Sequence, residues 1–379
     1  MLVSHPLLRI LGVLVVLSVI VALFLWQNVA LWTANYSACL ARPSSPEPQN
    51  LEPPDPLALP GWRENTTWVT ADPDLQLQHW VQRFAKKEDG PHMEWARGKT
   101  ILLLGDSVVR DFIWRLCDNH LHVDKKLVQL DAKVHNEKTQ GWECVVPQTQ
   151  TRLINGFIYG MTNYSRYPSS PLISHEWPPG PWSFEERISD MVKQYSKYNP
   201  DMVVLNSGAW DFKFMFRRDV YENRRAIDIE PSELHEYGER LRQCLRLLRQ
   251  KFSKKKLLFL QMHPFGEDDV NAKWFWAKGI KGGHDYGINF SPKEPNATLV
   301  EEKLPHLFSR RRVSQLASTY RRIAAEEEYD HLDYWKIAEA TNQGEFIRPG
   351  DSIHPSDPSI AVMLDWLFEK LWRWETQGL

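Results

Sequence analysis

Excess charge is the first thing this chain lacks. It carries 46 Lys and Arg against 48 Asp and Glu, a net charge of −2, and the cations are dispersed rather than gathered on one stretch. Such a surface has nothing with which to track a phosphate backbone, which argues against a nucleic-acid partner. The one basic stretch, from Arg240 through Arg249 to Lys256, alternates with Leu241, Leu245 and Leu248 at helical spacing. It reads as the solvated face of an amphipathic helix. Cysteine is scarce as well: the four, Cys39, Cys117, Cys144 and Cys244, match no zinc-ligand spacing, so no metal site is expected. No internal repeat is visible, which excludes a solenoid.

One long hydrophobic run is present. Residues 10–26, extendable to Trp32, are long enough to cross a hydrocarbon core of roughly 30 Å. His5 and Arg9 precede the run, and no small-residue cleavage pattern follows it closely. A cleaved signal peptide would be shorter and end in small residues, so the run is read as a type II signal anchor with the rest of the chain luminal. Four sequons, at Asn35, Asn65, Asn163 and Asn296, agree with that topology. An oxidising lumen permits two disulfides in three pairings; Cys117 with Cys144 is preferred because the loop between them is short.

From 42 to 60 prolines recur with Ser, Glu and Asp and scarcely an aromatic residue, a composition that cannot bury a core. The expected layout is therefore a cytoplasmic tip and membrane anchor over 1–32, a luminal stem over 33–60, and one domain over 61–379. Within the domain, strand and helix signals alternate: strands at 100–104, 126–130, 153–161, 202–205 and 256–261, and helices at 109–117, 184–198, 232–251, 310–328 and 359–372. This rhythm predicts a single three-layer α/β/α domain with a mostly parallel sheet. Ligands of such sheets gather at the carboxyl ends of strands.

That rule draws attention to Gly105-Asp106-Ser107, where an apolar strand breaks into a helix, and to Asp351-Ser352-Ile353-His354 near the C-terminus. Serine is a weak nucleophile until an imidazole takes its proton and a carboxylate fixes the imidazole. Ser107, His354 and Asp351 supply those three parts. Either motif alone is a common helix cap or surface feature; their joint occurrence, each followed by a helix, favours catalysis.

On these residues the chain resembles the GDSL/SGNH hydrolase superfamily, and within it the PC-esterase, trichome-birefringence-like and Cas1-like branch of luminal glycan-modifying acyl enzymes. The resemblance rests on Gly105-Asp106-Ser107-Val108-Val109-Arg110, on Leu205-Asn206-Ser207-Gly208-Ala209-Trp210-Asp211 and on Asp351-Ser352-Ile353-His354, and spans 100–372. It implies an SGNH-type fold with Ser107 as nucleophile, His354 as base and Asp351 as its partner. The superfamily's usual oxyanion donors are the Ser amide, a glycine on a second loop and an asparagine within a Gly-x-Asn-Asp block. Here Gly208-Ala209-Trp210-Asp211 has Trp210 at the asparagine position. Asn206 and Arg110 are the expected replacements, with Gly141 or Gly156 as the second-loop glycine; Asn206 could instead merely cap a turn, and Arg110 could pair with a carboxylate such as Asp111. Trp210, Phe212, Trp274 and Trp276 could stack on a sugar or pack in the core, and His263, which ends a strand on the same edge, could meet a ligand or be a satisfied buried histidine.

The expected activity is O-acyl transfer, most simply acetyl transfer, to a glycan hydroxyl in the Golgi or endoplasmic reticulum. No cofactor is expected to be resident. The donor would be acetyl-CoA or an acetylated intermediate, and a separate transporter would have to deliver it, since one helix cannot carry acetyl-CoA chemistry across a membrane. An esterase of the same fold, with water as acceptor, needs the same groups. A glycosyltransferase needs an acidic metal motif, but Asp72-Pro73-Asp74 follows no apolar strand and Glu267-Asp268-Asp269 lacks the spacing. An inactive glycan-binding descendant is the remaining alternative.

Overall fold

The computed structural model describes residues 55–128, 141–162, 183–265 and 306–378, apart from 207, 254, 307, 342, 350 and 352. The apolar run 10–26, most of the stem, Asn35, Asn163, Asn296, Trp274, Trp276 and Glu267-Asp268-Asp269 lie outside them. Among the described residues no helix is long and apolar enough to cross a membrane. The compact unit begins at Asp55. Residues 55–60 dock on it: Leu57 is buried, and Lys336 Nζ donates to the Leu57 carbonyl at 2.8 Å.

The centre of the sheet is β3 (Thr100–Gly105), every residue of which is buried. A strand covered on both faces has no use for polar alternation, which is why Ile101 to Leu104 read as a continuous apolar run. β6 (Thr151–Phe157) and β7 (Met202–Leu205) flank it, both parallel to it. Beyond β7 lie β8 (Lys256–Leu260) and β9 (Asp330–Leu332), also parallel. On the other side β5 (Gly141–Val146) runs antiparallel to β6, and β4 (Lys126–Val128) antiparallel to β5. The order is β4-β5-β6-β3-β7-β8-β9, with a separate hairpin of β1 (Gly61–Glu64) and β2 (Thr67–Thr70). Asn65 sits exposed at the turn of that hairpin.

One helical group comprises α1 (Trp80–Ala85), α2 (Ser107–Arg115), α7 (Tyr334–Glu339) and α9 (Asp357–Thr376); the other comprises α3 (Phe184–Tyr195), α5 (Pro231–Lys251) and α6 (Arg310–Glu326). α4 (Ala209–Tyr221) follows β7, and α8 (Gln343–Phe346) precedes the last loop. The chain leaves β3 for β6 on one side and then crosses to β7 on the other. The order therefore reverses between β3 and β7, where connections diverge and open a crevice at the strand ends.

Several elements depart from the pattern in the sequence. The strand expected over 153–161 spans Thr151–Phe157, because Gly160 turns the chain away at φ +74°. β5 escapes detection because Trp142 and Glu143 interrupt its apolar residues. β9 escapes because two of its three residues are exposed. A disulfide joins Cys117, in the turn after α2, to Cys144 on β5, with Cα atoms 5.8 Å apart.

α9 carries two carboxylates into the core. Asp365 Oδ1 accepts from the Val81 amide at 2.7 Å, and Glu369 Oε2 accepts from Trp80 Nε1 at 3.0 Å. Burial, with the neighbouring Glu369 charge adding to it, pushes Asp365 up to about 8 against the pull of the Val81 amide. Burial likewise pushes Glu369 up to about 7. The fold thus favours the acid forms. Their contribution to stability is complete below about pH 4, where the unfolded chain is protonated too, and is lost as pH rises through the folded values. Thermal melts are expected to show a Tm that falls between about pH 5 and about pH 9 and that falls much less in Asp365→Asn. An unchanged slope in that variant would place the loss elsewhere.

Candidate functional site

The strand-to-helix junction after β3 is set by Asp106. Its carboxylate accepts from the Val108 amide at 3.0 Å, capping α2 and placing Ser107 as the first helical residue. Asp106 is itself buried. Burial pushes its carboxyl up against the Val108 amide and the charges of His354 and Arg110. Gly105 permits the close approach of strand and helix, since a Cβ there would lie 2.6 Å from Val109 Cγ2.

The second element is a tight loop between α8 and α9. Ile347 and Pro355 form an antiparallel bridge, the Arg348 amide donates to the His354 carbonyl at 2.9 Å, and the Asp351 amide to the Arg348 carbonyl at 3.0 Å. Asp351 Oδ1 accepts from the amides of Ile353 and His354 at 2.8 and 3.1 Å, leaving Oδ2 for the His354 ring. His354 Nδ1 donates to Asp351 Oδ2 at 2.7 Å. With that proton on Nδ1, Nε2 is an acceptor, and Ser107 Oγ donates to it at 2.8 Å. Burial raises the Asp351 carboxyl, but the bond and charge of His354 and the two amides outweigh it and hold Asp351 well below the usual carboxylate range. The side chains of His354 and Asp351 keep 20% and 24% exposure, so a substrate can reach them.

His263, beyond the end of β8, is buried and donates Nε2–H to the Ile353 carbonyl at 2.7 Å. Burial pushes it down to about 4, so it serves as a neutral support for the loop that carries His354. Asn206 is buried at the end of β7; its amide group donates to the Leu260 carbonyl at 3.2 Å, and its backbone N–H to the Leu104 carbonyl at 2.7 Å. Gly208 takes φ +140°, and a Cβ there would press on Met262 and Tyr320. Trp210 is buried against Tyr159, ring centres 5.3 Å apart, and Phe212 is fully buried.

Arg110 lies three residues beyond Ser107 on α2. Its guanidinium donates to Asp111 Oδ1 at 2.9 Å and covers the Trp114 ring at 4.4 Å. The expected second-loop glycines are placed elsewhere. Gly141 is in β5 and Gly156 in β6, and a Cβ on either would strike Tyr195; both are glycine for packing.

The loop that does adjoin the β3–α2 junction is 158–162, whose Ile158 amide donates to the Gly105 carbonyl at 2.7 Å. Asp211, fully buried, holds it: Oδ1 accepts from the Met161 amide at 2.8 Å and the Thr162 amide at 2.9 Å, and from Thr162 Oγ1 at 2.8 Å. Arg187 of α3 donates to the Thr162 carbonyl at 2.5 Å. Gly160 sits within this loop. A Tyr-Gly pair just past an apolar strand was the signal for it, hidden by reading the strand through to Met161.

A cavity of about 740 Å³ beside α6 and α7 contains none of these residues. Its cations are largely compensated, Arg310 by Glu339 and Arg311 by Asp228.

No protein-family model matches the chain, and no curated protein matches it. Among solved structures, a GDSL-like lipase from Parabacteroides merdae is similar at 12% identity and a TM-score of 0.37, over 74% of this chain and 96% of that one. A peptidoglycan O-acetylesterase is similar at 11% and 0.36, over 78% and 97%. The periplasmic domain of a lipopolysaccharide acetyltransferase from Salmonella ser. Paratyphi A is similar at 8% and 0.34, over 77% and 95%. Likenesses this slight carry no functional argument, which rests instead on the bonded Ser107, His354 and Asp351.

Gly160 offers a direct check of the loop. A methyl there would lie 2.5 Å from Asp211 Oδ2 at a positive φ, whereas Gly98, at φ +69°, has open space. Gly98→Ala is expected to cost about 1 kcal/mol, and Gly160→Ala about 3 kcal/mol or more together with turnover. Equal losses in thermal stability for the two would refute the steric account.

Proposed function

We propose that this chain is a serine acyl enzyme of SGNH type that transfers an acyl group, acetyl first of all, to a glycan hydroxyl in the secretory lumen. The carrying observation is the unbroken chain of hydrogen bonds from Ser107 through His354 to Asp351. Ser107 Oγ attacks the donor carbonyl as its proton passes to His354 Nε2. The imidazolium so formed is stabilised by Asp351, which stays ionised. The tetrahedral intermediate collapses, the leaving group takes the proton from Nε2, and an ester remains on Ser107. An acceptor hydroxyl then gives its proton to Nε2, attacks the ester, and Ser107 Oγ is reprotonated.

Charge on the intermediate's oxygen needs donors. The helix-start amide of Ser107 is one. Gly160 takes the part that the resemblance gives a second-loop glycine. Asn206 retains one amide hydrogen beyond its bond to Leu260, and Arg110, which also holds Asp111 Oδ1, stays a further candidate.

Transfer is preferred over hydrolysis because the apolar run 10–26 and the sequons suit a Golgi or endoplasmic reticulum enzyme that builds glycans. The acyl donor, acetyl-CoA or an acetylated intermediate, enters as substrate through a separate transporter. An esterase would run the same steps with water as acceptor.

The detergent-solubilised full-length chain, exposed to p-nitrophenyl acetate, is expected to show an acetyl adduct by intact mass on Ser107. Ser107→Ala and His354→Ala should lower turnover by on the order of 10⁶-fold, and Asp351→Asn by about 10⁴-fold. Adding a glycan acceptor should discharge the adduct into an O-acetyl sugar; discharge only to water would make the protein an esterase. Wild-type turnover in Ser107→Ala would refute the acyl-enzyme outright.

A further inference from the structure

Ion pairs outside the triad tie the base loop to the nucleophile helix. Arg348, three residues before Asp351, donates from Nη2 to Asp111 Oδ2 at 2.7 Å, and its Nη1 lies 4.0 Å from Asp351 Oδ2. Asp111 is one helical turn beyond Ser107, and its side chain is only 4% exposed. Its other oxygen takes the Arg110 bond. Burial raises the Asp111 carboxyl, but His354, Arg110 and Arg348 outweigh it and hold it low. A carboxylate so buried stays charged only with its cations in place, so Asp111 fixes where the Arg348 guanidinium sits. Arg348 in turn shares its backbone with the loop, through the His354 carbonyl and the Asp351 amide.

We infer that Arg348 is a positioning residue for acyl transfer, clamping the 347–355 loop to the nucleophile helix through Asp111 so that His354 stays in register with Ser107. The clamp accounts for the conjunction of two observations: a buried carboxylate with no role in the proton relay, and an arginine facing carboxylates on two elements. The inference rests on the acyl-enzyme reading.

Its signature is a pair of opposite charge effects. The groups facing the His354 ring are Asp351 and Arg348 on its own loop, Ser107, Asp106, Arg110 and Asp111 from β3 and α2, and His263 from β8. Arg348→Gln removes a cation near the imidazole, which eases protonation of the base and moves the acid limb of the kcat/KM profile to higher pH. Asp111→Asn removes an anion and moves that limb to lower pH. Each displacement should reach roughly half a pH unit or more.

The test is steady-state acyl transfer by the full-length chain as a function of pH. Both substitutions are expected to lower kcat by on the order of 100-fold with KM nearly unchanged, as misplacement of a catalytic group does. The double variant should lose no more than the worse single, because both cut one link. Arg348→Lys should return the limb toward its wild-type place while leaving kcat low, since an ammonium cannot hold Asp111 and face Asp351 at once. Wild-type kcat in Arg348→Gln, additive losses, or limbs that move the same way would overturn the inference. Should Asp111→Asn fail to fold, the Arg348 variants alone decide, as that side chain is 31% exposed. Inactivity of Ser107→Ala alongside a normal Arg348→Gln would defeat the clamp while sparing the acyl-enzyme.

Discussion

The hydrogen bond from the Val108 amide to Asp106 determines where β3 ends and α2 begins, and the rest of the site is measured from that point. One residue earlier or later and Ser107 would rotate by about 100° on the helix, away from the loop that carries His354. The bond is strong because its surroundings are dry: β3 is buried along its whole length, and Asp106 lies beneath the helix it caps. In water the same cap would be worth about 1 kcal/mol and would fray. Inside, an unpaired Val108 amide and a stranded carboxyl make the alternatives costly, so Ser107 is held by the core rather than by the surface.

Similar logic governs the flanking loops. Each is irregular, each sits at the carboxyl edge of the sheet, and each is bound by buried polar groups whose partners are backbone atoms. Asp211 takes the amides of Met161 and Thr162, His263 the carbonyl of Ile353, and Asn206 the carbonyl of Leu260. None of the three side chains is part of the proton relay. They convert loops, which would otherwise wander, into fixed extensions of the strands, the condition under which a hydroxyl and an imidazole meet at hydrogen-bonding distance before any substrate arrives.

The sequence made some of this legible and hid the rest for physical reasons. Buried parallel strands and long amphipathic helices announce themselves, so β3, β7, β8, α5 and α6 were readable, as was the meeting of Ser107 with Asp351 and His354 from two short motifs. Strands with mixed exposure such as β5, where buried and half-buried residues mingle, and β9, where two of three residues are exposed, lose the apolar signature. For Arg110 the sequence leaves two readings open, oxyanion donor or partner of Asp111, because spacing along a helix places a residue one turn away but says nothing of which way a long side chain turns. A carboxylate at the next position and a Trp one turn on draw it aside. Gly141 and Gly156 misled because a glycine needed for close packing against Tyr195 looks the same in sequence as one needed for a turn.

Asp211 shows most plainly how a buried side chain fixes a loop. Trp210 is buried and packs against Tyr159 of the 158–162 loop. The next residue, Asp211, holds that same loop through its carboxylate. Packing of a buried indole and attachment of a backbone loop to a carboxylate thus occur at adjacent positions, and they pull the same way. A loop gripped by a buried aromatic and a buried carboxylate can present backbone amides with little freedom to move. Fixed amide dipoles are as able as an asparagine to meet developing negative charge, provided they need not reorganise when it forms.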